Sequence, residues 1–331
     1  MCKTTTTQSS SSTASPLKLV VLVVLWYAGN TFYNIYNKKA LNMLDAHWYV
    51  ASAQLAVGIL ISFLTWGTGF RKRPTLNSSD LISCVPIGLF ASLAHCGTVL
   101  ASAVGAVSFA QIVKACEPVF AAAVGVLVPP MDVKPILAYC MLIPIVGGVG
   151  LACIKEGKGV DINVQAFLYA SLANAAAALK GKFGSSVTKT LKSDPSKNMD
   201  AANVYAVMNI IAFVFTVPVV VMTELETLPK KWEDASAIYG SQEIAKNIII
   251  SGLFFYFYNE CAFAFTAYVG SVTSSVLNTA KRVIIIVVSA IVFQEAMERN
   301  TVIGSAIAIG GTFAYSLTST APAPKAKAKT S

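Results

Sequence analysis

Long apolar stretches separated by short polar segments dominate this chain. Their positions predict ten hydrophobic helices, at about residues 17–37, 47–67, 81–104, 107–128, 135–154, 164–186, 202–222, 246–270, 272–293 and 301–319. An α-helix needs about 20 apolar residues to cross a ~30 Å hydrocarbon layer, and these stretches have about that length. The connecting segments carry Pro, Gly and Lys clusters that end helices. The pattern therefore predicts an all-α membrane protein with ten transmembrane helices.

Composition agrees with this fold class. Of the 331 residues, 55% are hydrophobic and only 12% are charged, whereas about 25% of the residues of an average soluble domain are charged. The formal net charge is +9, but the basic residues form no polar face interleaved with aromatic side chains, which a nucleic-acid-binding surface would have. We therefore expect a lipid bilayer to surround the chain and no nucleic acid to bind it.

The chain is expected to have three parts. Residues 1–16 are rich in Ser and Thr and free of acids, which is typical of a disordered tail or of the remnant of an organelle-targeting peptide. Residues 17–320 form the ten-helix domain, and residues 321–331 form a second disordered tail of Lys, Ala and Pro. Ten helices place both termini on one side of the membrane, and the Lys and Arg excess on that side predicts cytosolic termini.

Two halves of the helical region are similar in sequence. Val107–Val128 aligns without a gap with Val272–Phe293, and both segments carry cations near their middle. The helix after each segment contains a diglycine, Gly147-Gly148 in the first half and Gly310-Gly311 in the second. We therefore predict two repeats of five helices each.

An odd number of helices per repeat means that the second copy enters the membrane in the opposite sense. The predicted architecture is an inverted five-plus-five repeat, with repeat one at about 17–154 and repeat two at about 164–319. Many secondary transporters are built in this way, and their substrates bind at mid-depth between the repeats. The pattern thus favours a carrier with alternating access.

Three cations, Lys114, Lys281 and Arg282, stand near the middle of predicted membrane helices. A charge at mid-depth costs roughly 2.5–3.5 kcal/mol on insertion scales, and such residues mark substrate pathways by default. Three cations at one depth suit a phosphate, because Arg can hold two oxygens and Lys acts as a mobile point charge. Structural pairing is the alternative: Lys114 could pair with Glu117 one turn away. Lys281 or Arg282 could pair with Glu260 or Glu295.

Further polar and aromatic side chains lie in the predicted helices. His95 and Thr98 are three residues apart and share a helix face, and Tyr258 lies midway along the eighth helix. They could bind a carbonyl, hydroxyl or carboxylate, although a core histidine and a tyrosine held by ordinary packing are the alternatives. Trp26 is expected to anchor at the membrane interface. Lys38 lies near a helix end, where snorkelling to the interface is expected.

Two other function classes fit the sequence less well. An integral-membrane enzyme would need a nucleophile or metal constellation, but His47 and His95 are the only histidines and no acid pair accompanies them. The seven cysteines form no CxxC pair or Cys/His cluster, so no metal or other cofactor is expected. A channel would conduct phosphate without exchange and show single-channel currents. The sequence pattern predicts no particular oligomeric state.

At these residues the chain resembles the triose-phosphate/phosphate translocator family of plastid envelopes, in the drug/metabolite transporter superfamily. The motifs that carry the resemblance are YNIYNKKALN (33–42), AHCGTVLAS (94–102), SFAQIVKACEPVF (108–120), FYNE (257–260) and NTAKRVIIIVVSAIVFQE (278–295). The two basic motifs, in this order, are specific to the family. The resemblance extends from about Lys18 to Ser319.

The resemblance implies exchange of inorganic phosphate for a phosphorylated three-carbon compound, such as triose phosphate or 3-phosphoglycerate, or for a related sugar phosphate. The exchange would be strict antiport by alternating access in a plastid envelope. The nearest alternative is a nucleotide-sugar or other drug/metabolite antiporter of the Golgi or endoplasmic reticulum, which shares the fold.

The resemblance also assigns residues to the substrate. The implied phosphate ligands are the mid-depth cations Lys114, Lys281 and Arg282. The residues implied around the rest of the substrate are His95, Thr98 and Tyr258. Lys180 follows Leu179 where the family often has a Tyr-Arg pair, and we include it in the candidate site. This departure leaves the preferred sugar phosphate open.

Overall fold

The computed structural model describes residues 15–155, 159–160, 163–295 and 297–319. Its helices, in chain order, are α1 (Pro16–Met43), α2 (His47–Gly67), α3 (Ser78–Val104), α4 (Val107–Lys114), α5 (Glu117–Leu127), α6 (Ile136–Cys140), α7 (Leu142–Ala152), α8 (Val164–Lys192), α9 (Ala201–Thr223), α10 (Leu228–Tyr239), α11 (Ser241–Gly270), α12 (Thr273–Phe293) and α13 (Arg299–Thr318). A short antiparallel ladder joins β1 (Ile154–Lys155) to β2 (Gly159–Val160), and Pro195–Lys197 forms a 3₁₀ turn. Apart from Ser15 and Pro16, both predicted tails lie outside the described residues.

Helices cover all ten predicted apolar segments. Within the described ranges, eight spans are long and apolar enough to cross a membrane: α1, α2, α3, α4 with α5, α9, α11, α12 and α13. The fifth predicted segment forms a shorter apolar helix, Ile136–Ala152. The sixth forms α8, which is long but more polar because it carries several lysines, Lys180 among them. The all-α prediction is confirmed, whereas the ten-span count stays a prediction.

Helix α10 occupies a segment that the sequence pattern treats as a polar connection. Its side chains Trp232 and Ala235 pack against the cluster formed by the end of α1 and the start of α2, while Ile238 remains 74% exposed. The helix is amphipathic, so it lacks the continuous apolar run that marks a membrane span. It therefore covers one end of the helix bundle.

Two prolines divide helices in the first half of the chain. Helix α4 ends at Lys114 and α6 ends at Cys140, and each of these residues lies four positions before a proline, Pro118 or Pro144. Proline has no N–H to donate to the carbonyl four residues earlier, and its ring clashes with that carbonyl. Each break thus follows from the covalent structure of one residue.

The helices pack in pairs that are related when the two halves are exchanged. Helix α3 packs along α8, where Gly97 faces Ala173, and α1 packs along α11, where Gly29 faces Tyr258. Helix α3 also meets α9, as α2 meets α11. If the first helix of one half is equivalent to the first of the other, each of these contacts has its counterpart.

Helices α7 and α13 touch through their backbones. A Cβ on Gly148 would lie 2.5 Å from the amide nitrogen of Ala308, and one on Gly304 would lie 2.4 Å from that of Ala152. No other residue fits at either position without a shift of the backbone. Small residues of this kind allow membrane helices to approach closely.

Candidate functional site

A cavity of about 220 Å³ lies inside the helix bundle and is lined mainly by α1, α3, α4, α8, α9, α11 and α12. The seven residues that the sequence analysis selects all line it: His95, Thr98, Lys114, Lys180, Tyr258, Lys281 and Arg282. They come from five helices, and 187 positions along the chain separate the first, His95, from the last, Arg282. The structure therefore brings them together, while their role as ligands stays a prediction.

The break between α4 and α5 places two opposite charges beside the cavity. Lys114 is the last residue of α4 and Glu117 is the first residue of α5. A cation is favourable at the C-terminus of a helix and a carboxylate at the N-terminus, because of the partial charges on the terminal carbonyl and amide groups. Lys114 Nζ donates a hydrogen bond of 3.0 Å to Thr98 Oγ1. Two of the candidate site residues, Thr98 and Lys114, are thus in contact.

Side chains from the other half donate to two carbonyls beside the break, of which that of Val113 also accepts from the backbone amide of Cys116. Asn174 Nδ2 of α8 donates to the carbonyl oxygen of Val113 at 3.0 Å. Thr312 Oγ1 of α13 donates to that of Ala115 at 2.9 Å. A buried carbonyl without a partner would cost about 1–3 kcal/mol. The two hydrogen bonds therefore hold the broken helix in place from both sides.

Arg282 and Glu117 form an ion pair at the cavity wall. Arg282 Nη2 lies 2.5 Å from Glu117 Oε2, and the side chains are 5% and 35% exposed. Arg282 Nε is buried and has no hydrogen-bond partner among the described residues. Arg282 is therefore paired, but with Glu117 and not with Glu260 or Glu295, the partners expected from the sequence. The guanidinium still has N–H donors that an anion could use.

Lys281 contacts aromatic rings. Its Nζ lies 5.0 Å from the ring centroid of Trp26 and 5.5 Å from that of Tyr258, which are distances at which an ammonium is attracted to a ring face. The expectation that Trp26 anchors at the membrane interface is wrong, because Trp26 is only 3% exposed and lines the cavity. Apolar periodicity does not distinguish an interface tryptophan from one that turns inward and packs on Phe265.

His95 and Tyr258 form part of an aromatic wall. The His95 ring lies 4.1 Å from the ring of Phe255, and its Nε2 is 3.1 Å from the carbonyl oxygen of Ala51. The Tyr258 ring is tilted against that of Tyr33 at 5.5 Å. These contacts restrict both rings, so each presents a fixed polar group beside the four cations.

A row of side-chain amides next to these rings was not predicted from the sequence. Asn30 and Asn34 of α1 line the cavity, and Asn34 Nδ2 donates to the carbonyl oxygen of Asn30 at 2.7 Å. Gln111 Nε2 of α4 donates to Asn34 Oδ1 at 3.2 Å. The signal was the spacing: Asn30 and Asn34 are four apart on one face of an apolar helix, and Gln111 precedes Lys114 by three.

Positive charge dominates the cavity. Among the described residues that line it, the charged side chains are the cations Lys114, Lys180, Lys281 and Arg282 and the carboxylate of Glu117. With all five ionised, the net charge is +3. An anion that entered would offset much of the cost of keeping these cations away from water.

Polar contacts tie the helices together at both ends of α3. Where α3 ends, Lys38 Nζ donates to the carbonyl oxygens of Ser102 at 2.7 Å and Gly105 at 2.9 Å. Snorkelling is therefore the wrong expectation for Lys38, which instead caps α3. Where α3 begins, Arg71 of the preceding loop forms an ion pair with Glu260 of α11. The cavity lies between these two groups of contacts.

Glu295, which follows α12, caps the N-terminus of α4. Its carboxylate oxygens accept hydrogen bonds from the backbone amides of Val107 at 2.9 Å and Ser108 at 3.1 Å. These amides have no partner inside their own helix. The carboxylate thereby joins α12 of one half to α4 of the other.

Comparisons with known proteins identify the family of this chain. The model of the Triose-phosphate Transporter family matches residues 17–316. The chain is 33% identical over 294 residues to a chloroplastic triose phosphate/phosphate translocator of Flaveria trinervia, covering 88% of this chain and 69% of the relative. It is 30% identical over 304 residues to the chloroplastic xylulose 5-phosphate/phosphate translocator of Arabidopsis thaliana, covering 92% and 70%.

A third relative and a solved structure extend this result. The chloroplastic glucose-6-phosphate/phosphate translocator 1 of Arabidopsis thaliana is 28% identical over 310 residues, covering 93% of this chain and 77% of the relative. A crystal structure aligns with a TM-score of 0.50 and 12% identity, covering 90% of this chain and 98% of the other, and shows a similar fold only. Because the family model covers nearly the whole described region, the chain belongs to the triose-phosphate transporter family.

Proposed function

We propose that this chain is a phosphate translocator of a plastid envelope. It exchanges inorganic phosphate for a phosphorylated three-carbon compound, such as triose phosphate or 3-phosphoglycerate, or for a related sugar phosphate. The observation that carries the proposal is the cavity in which Lys114, Lys180, Lys281 and Arg282 meet with one carboxylate. The relatives named above are sugar-phosphate/phosphate translocators of chloroplasts, and they do not favour the nucleotide-sugar alternative.

In this proposal the chain crosses the membrane ten times as an inverted five-plus-five repeat. Helices α6 with α7 and α8 supply the two spans beyond the eight that length and composition identify. The packing supports the repeat, because the pair α1 and α11 corresponds to the pair α8 and α3 when the halves are exchanged. The ion pair of Glu117 with Arg282 also fits, since both residues stand at the same position of the aligned segments, 165 residues apart.

Each cavity residue has a role in the proposed transport. Lys114, Lys281 and Arg282 hold the phosphate, with Arg282 donating through two of its nitrogens and the lysines as point charges. The rest of the substrate contacts the group of His95, Thr98, Tyr258 and Lys180. Lys180 offers an ammonium where an arginine would offer a planar fork, so it suits a single carbonyl or carboxylate oxygen better than a bidentate contact.

The charge of the cavity favours strict antiport by alternating access. Closing the empty carrier on both sides would leave a net positive charge in a low-dielectric interior, which costs several kcal/mol per ion. Thr98, Trp26 and Glu117 offset part of this cost by holding three of the cations. A bound phosphate offsets much of the remainder, so the loaded carrier changes its orientation faster than the empty one.

Counter-exchange in proteoliposomes tests this function. Purified protein is reconstituted in liposomes that contain labelled phosphate, and efflux is followed with and without unlabelled substrate outside. We expect efflux only with a counter-substrate, and none from protein-free liposomes. Rapid efflux into substrate-free buffer would overturn strict exchange. A competition panel of triose phosphate, 3-phosphoglycerate, phosphoenolpyruvate, hexose phosphates, pentose phosphates and nucleotide sugars then identifies the preferred partner.

A further inference from the structure

We propose that Glu117 competes with the substrate phosphate for Arg282 and thereby sets how strongly the carrier holds its substrate and which substrate charge it prefers. The inference rests on the proposed function. It concerns the one carboxylate among the described cavity-lining residues, which the transport roles above leave without a direct contact to the substrate.

The carboxylate and the guanidinium both line the cavity and contact each other. Glu117 Oε2 lies 2.5 Å from Arg282 Nη2, and the glutamate side chain is 35% exposed whereas the arginine is 5% exposed. Glu117 is thus the more open member of the pair. A phosphate that approaches Arg282 from the cavity meets a guanidinium with one N–H donor already used by a carboxylate.

The position of Glu117 in the chain allows the pair to loosen. Glu117 is the first residue of α5, next to the break after Lys114, so its side chain sits at a helix end and not within a continuous helix. Arg282 belongs to α12 in the other half of the protein. The pair therefore joins two helices that can shift relative to each other, unlike a pair within one helix.

Competition has two kinetic consequences. The carboxylate repels an incoming phosphate and can take Arg282 back, so it weakens binding and speeds release. A carrier that must release its substrate in every cycle gains turnover from such an internal anion, because uniformly tight binding would slow release. Glu117 thus raises both the KM and the maximal exchange rate.

The same carboxylate sets the preferred substrate charge. The cavity carries four cations and Glu117, a net charge of +3 when all are ionised. A phosphate monoester is a dianion well above its second pKa of about 6. Triose phosphate therefore leaves one positive charge, whereas 3-phosphoglycerate, with its additional carboxylate, neutralises the site. Without Glu117 the net charge becomes +4, and the trianion gains more than the dianion.

Glu117→Gln tests the proposal, with the wild type and Glu260→Gln measured beside it. Glutamine keeps the shape and removes the charge. In proteoliposomes at pH 8, we expect the KM of Glu117→Gln for phosphate to fall about tenfold and its maximal exchange rate to fall about threefold or more, in line with the loss of one nearby charge in a partly screened site. Its preference for 3-phosphoglycerate over triose phosphate should rise about fivefold.

Glu260→Gln is the matched control. Glu260 also pairs with an arginine, Arg71, but it does not line the cavity. We expect its preference between the two substrates to equal that of the wild type. The preference is measured as the ratio of the inhibition constants of 3-phosphoglycerate and triose phosphate against phosphate uptake. This ratio does not depend on the amount of active carrier, so partial loss of folded protein leaves the comparison valid.

Two results would overturn the proposal. A higher KM in Glu117→Gln would mean that the glutamate only positions Arg282. An equal change for triose phosphate and 3-phosphoglycerate would mean that its charge does not select the substrate. If Glu117→Gln is not recovered in folded form, Glu117→Ala removes the same charge and should shift the preference in the same direction, while Glu117→Asp should leave it unchanged. Absence of exchange in the wild type would instead contradict the proposed function.

Discussion

The span formed by α4 and α5 aligns in sequence with α12, yet only the first of the two is broken. Pro118 stands in the first span where Val283 stands in the second, because both are one residue after the aligned pair Glu117 and Arg282. Proline cannot donate to the carbonyl of Lys114, so α4 ends there, while valine lets α12 continue. One residue thus explains why two similar sequences differ in backbone.

The same contrast holds one helix later. Pro144 divides α6 from α7, whereas alignment of the two diglycines, Gly147-Gly148 and Gly310-Gly311, places Ile307 at the equivalent position of the continuous helix α13. Both breaks therefore lie in the first half. Segments that are similar in sequence can thus differ in backbone at single prolines. The break at Pro118 leaves Lys114 and Glu117 at helix ends beside the cavity.

The largest expected effect on phosphate exchange is that of Lys281 in the continuous helix α12, because the aligned position of the broken span carries no charge. Lys281→Gln removes an ammonium from the cavity, whereas the aligned residue of the broken span is Cys116. We expect phosphate exchange to fall at least about 100-fold, because loss of one member of a buried charge interaction costs about 2–5 kcal/mol. Labelled phosphate exchange in proteoliposomes measures it.

Lys246→Gln is the control for this variant. Lys246 also lies in the second half, but it is on an exposed face of α11, 3.0 Å from Glu243. Its exchange rate should equal that of the wild type. If Lys281→Gln exchanges phosphate at a near-normal rate, Lys281 is not needed, and one cation from each span, Lys114 and Arg282, suffices for phosphate binding.

The second-largest expected effect is on the free energy of unfolding and concerns the backbone just before α12. Gly270 precedes α12 with φ 83° and ψ 170°, a conformation that residues with a side chain rarely adopt. Gly270→Ala should lower the free energy of unfolding by about 1–3 kcal/mol. Gly310→Ala is the matched control, because Gly310 lies in a helix and a Cβ would meet no atom within 4 Å. Thermal unfolding in detergent should show a lower midpoint for Gly270→Ala and an unchanged midpoint for Gly310→Ala.

The smallest effect concerns the cap of the broken span. Glu295→Gln removes the charge and one of the two oxygens that accept from the amides of Val107 and Ser108. We expect a loss of about 0.5–2 kcal/mol, the usual size of a lost helix N-cap. Glu226→Gln, at an exposed position, should leave the unfolding midpoint unchanged. Equal midpoints for both variants would mean that the cap of α4 contributes nothing measurable through its charge.

Charge and apolar length were readable from the sequence, and side-chain direction was not. Lys114, Lys281 and Arg282 could be selected because a fixed cation in an apolar helix is costly wherever it points. Trp26 and Lys38 were misassigned because an apolar helix tolerates either residue at its end or facing inward, and only tertiary packing decides. The break at Lys114 was predictable from Pro118, but the sequence analysis gave that proline no weight.

The number of spans shows the same limit. Helix α8 carries Lys180 near its middle, so its mean hydropathy is low even though it packs along α3 for most of its length. Hydropathy averages over all faces of a helix, and one face turned toward a polar cavity lowers the average. Helix α8 is therefore missed by mean hydropathy, whereas α12 is counted as a span although it carries Lys281 and Arg282.

The backbone contact of Gly148 with Gly304 has a consequence for motion. At Gly148 and Gly304 the two backbones meet directly, whereas further along α13 Gly311 faces the side chains of Ile145 and Pro144. Rotation of one helix on the other would disturb few side-chain contacts at the two glycines, whereas larger side chains would have to be repacked at every angle. If the two halves rotate relative to each other during transport, the rotation axis would pass most easily through this crossing, because few side-chain contacts must be broken there.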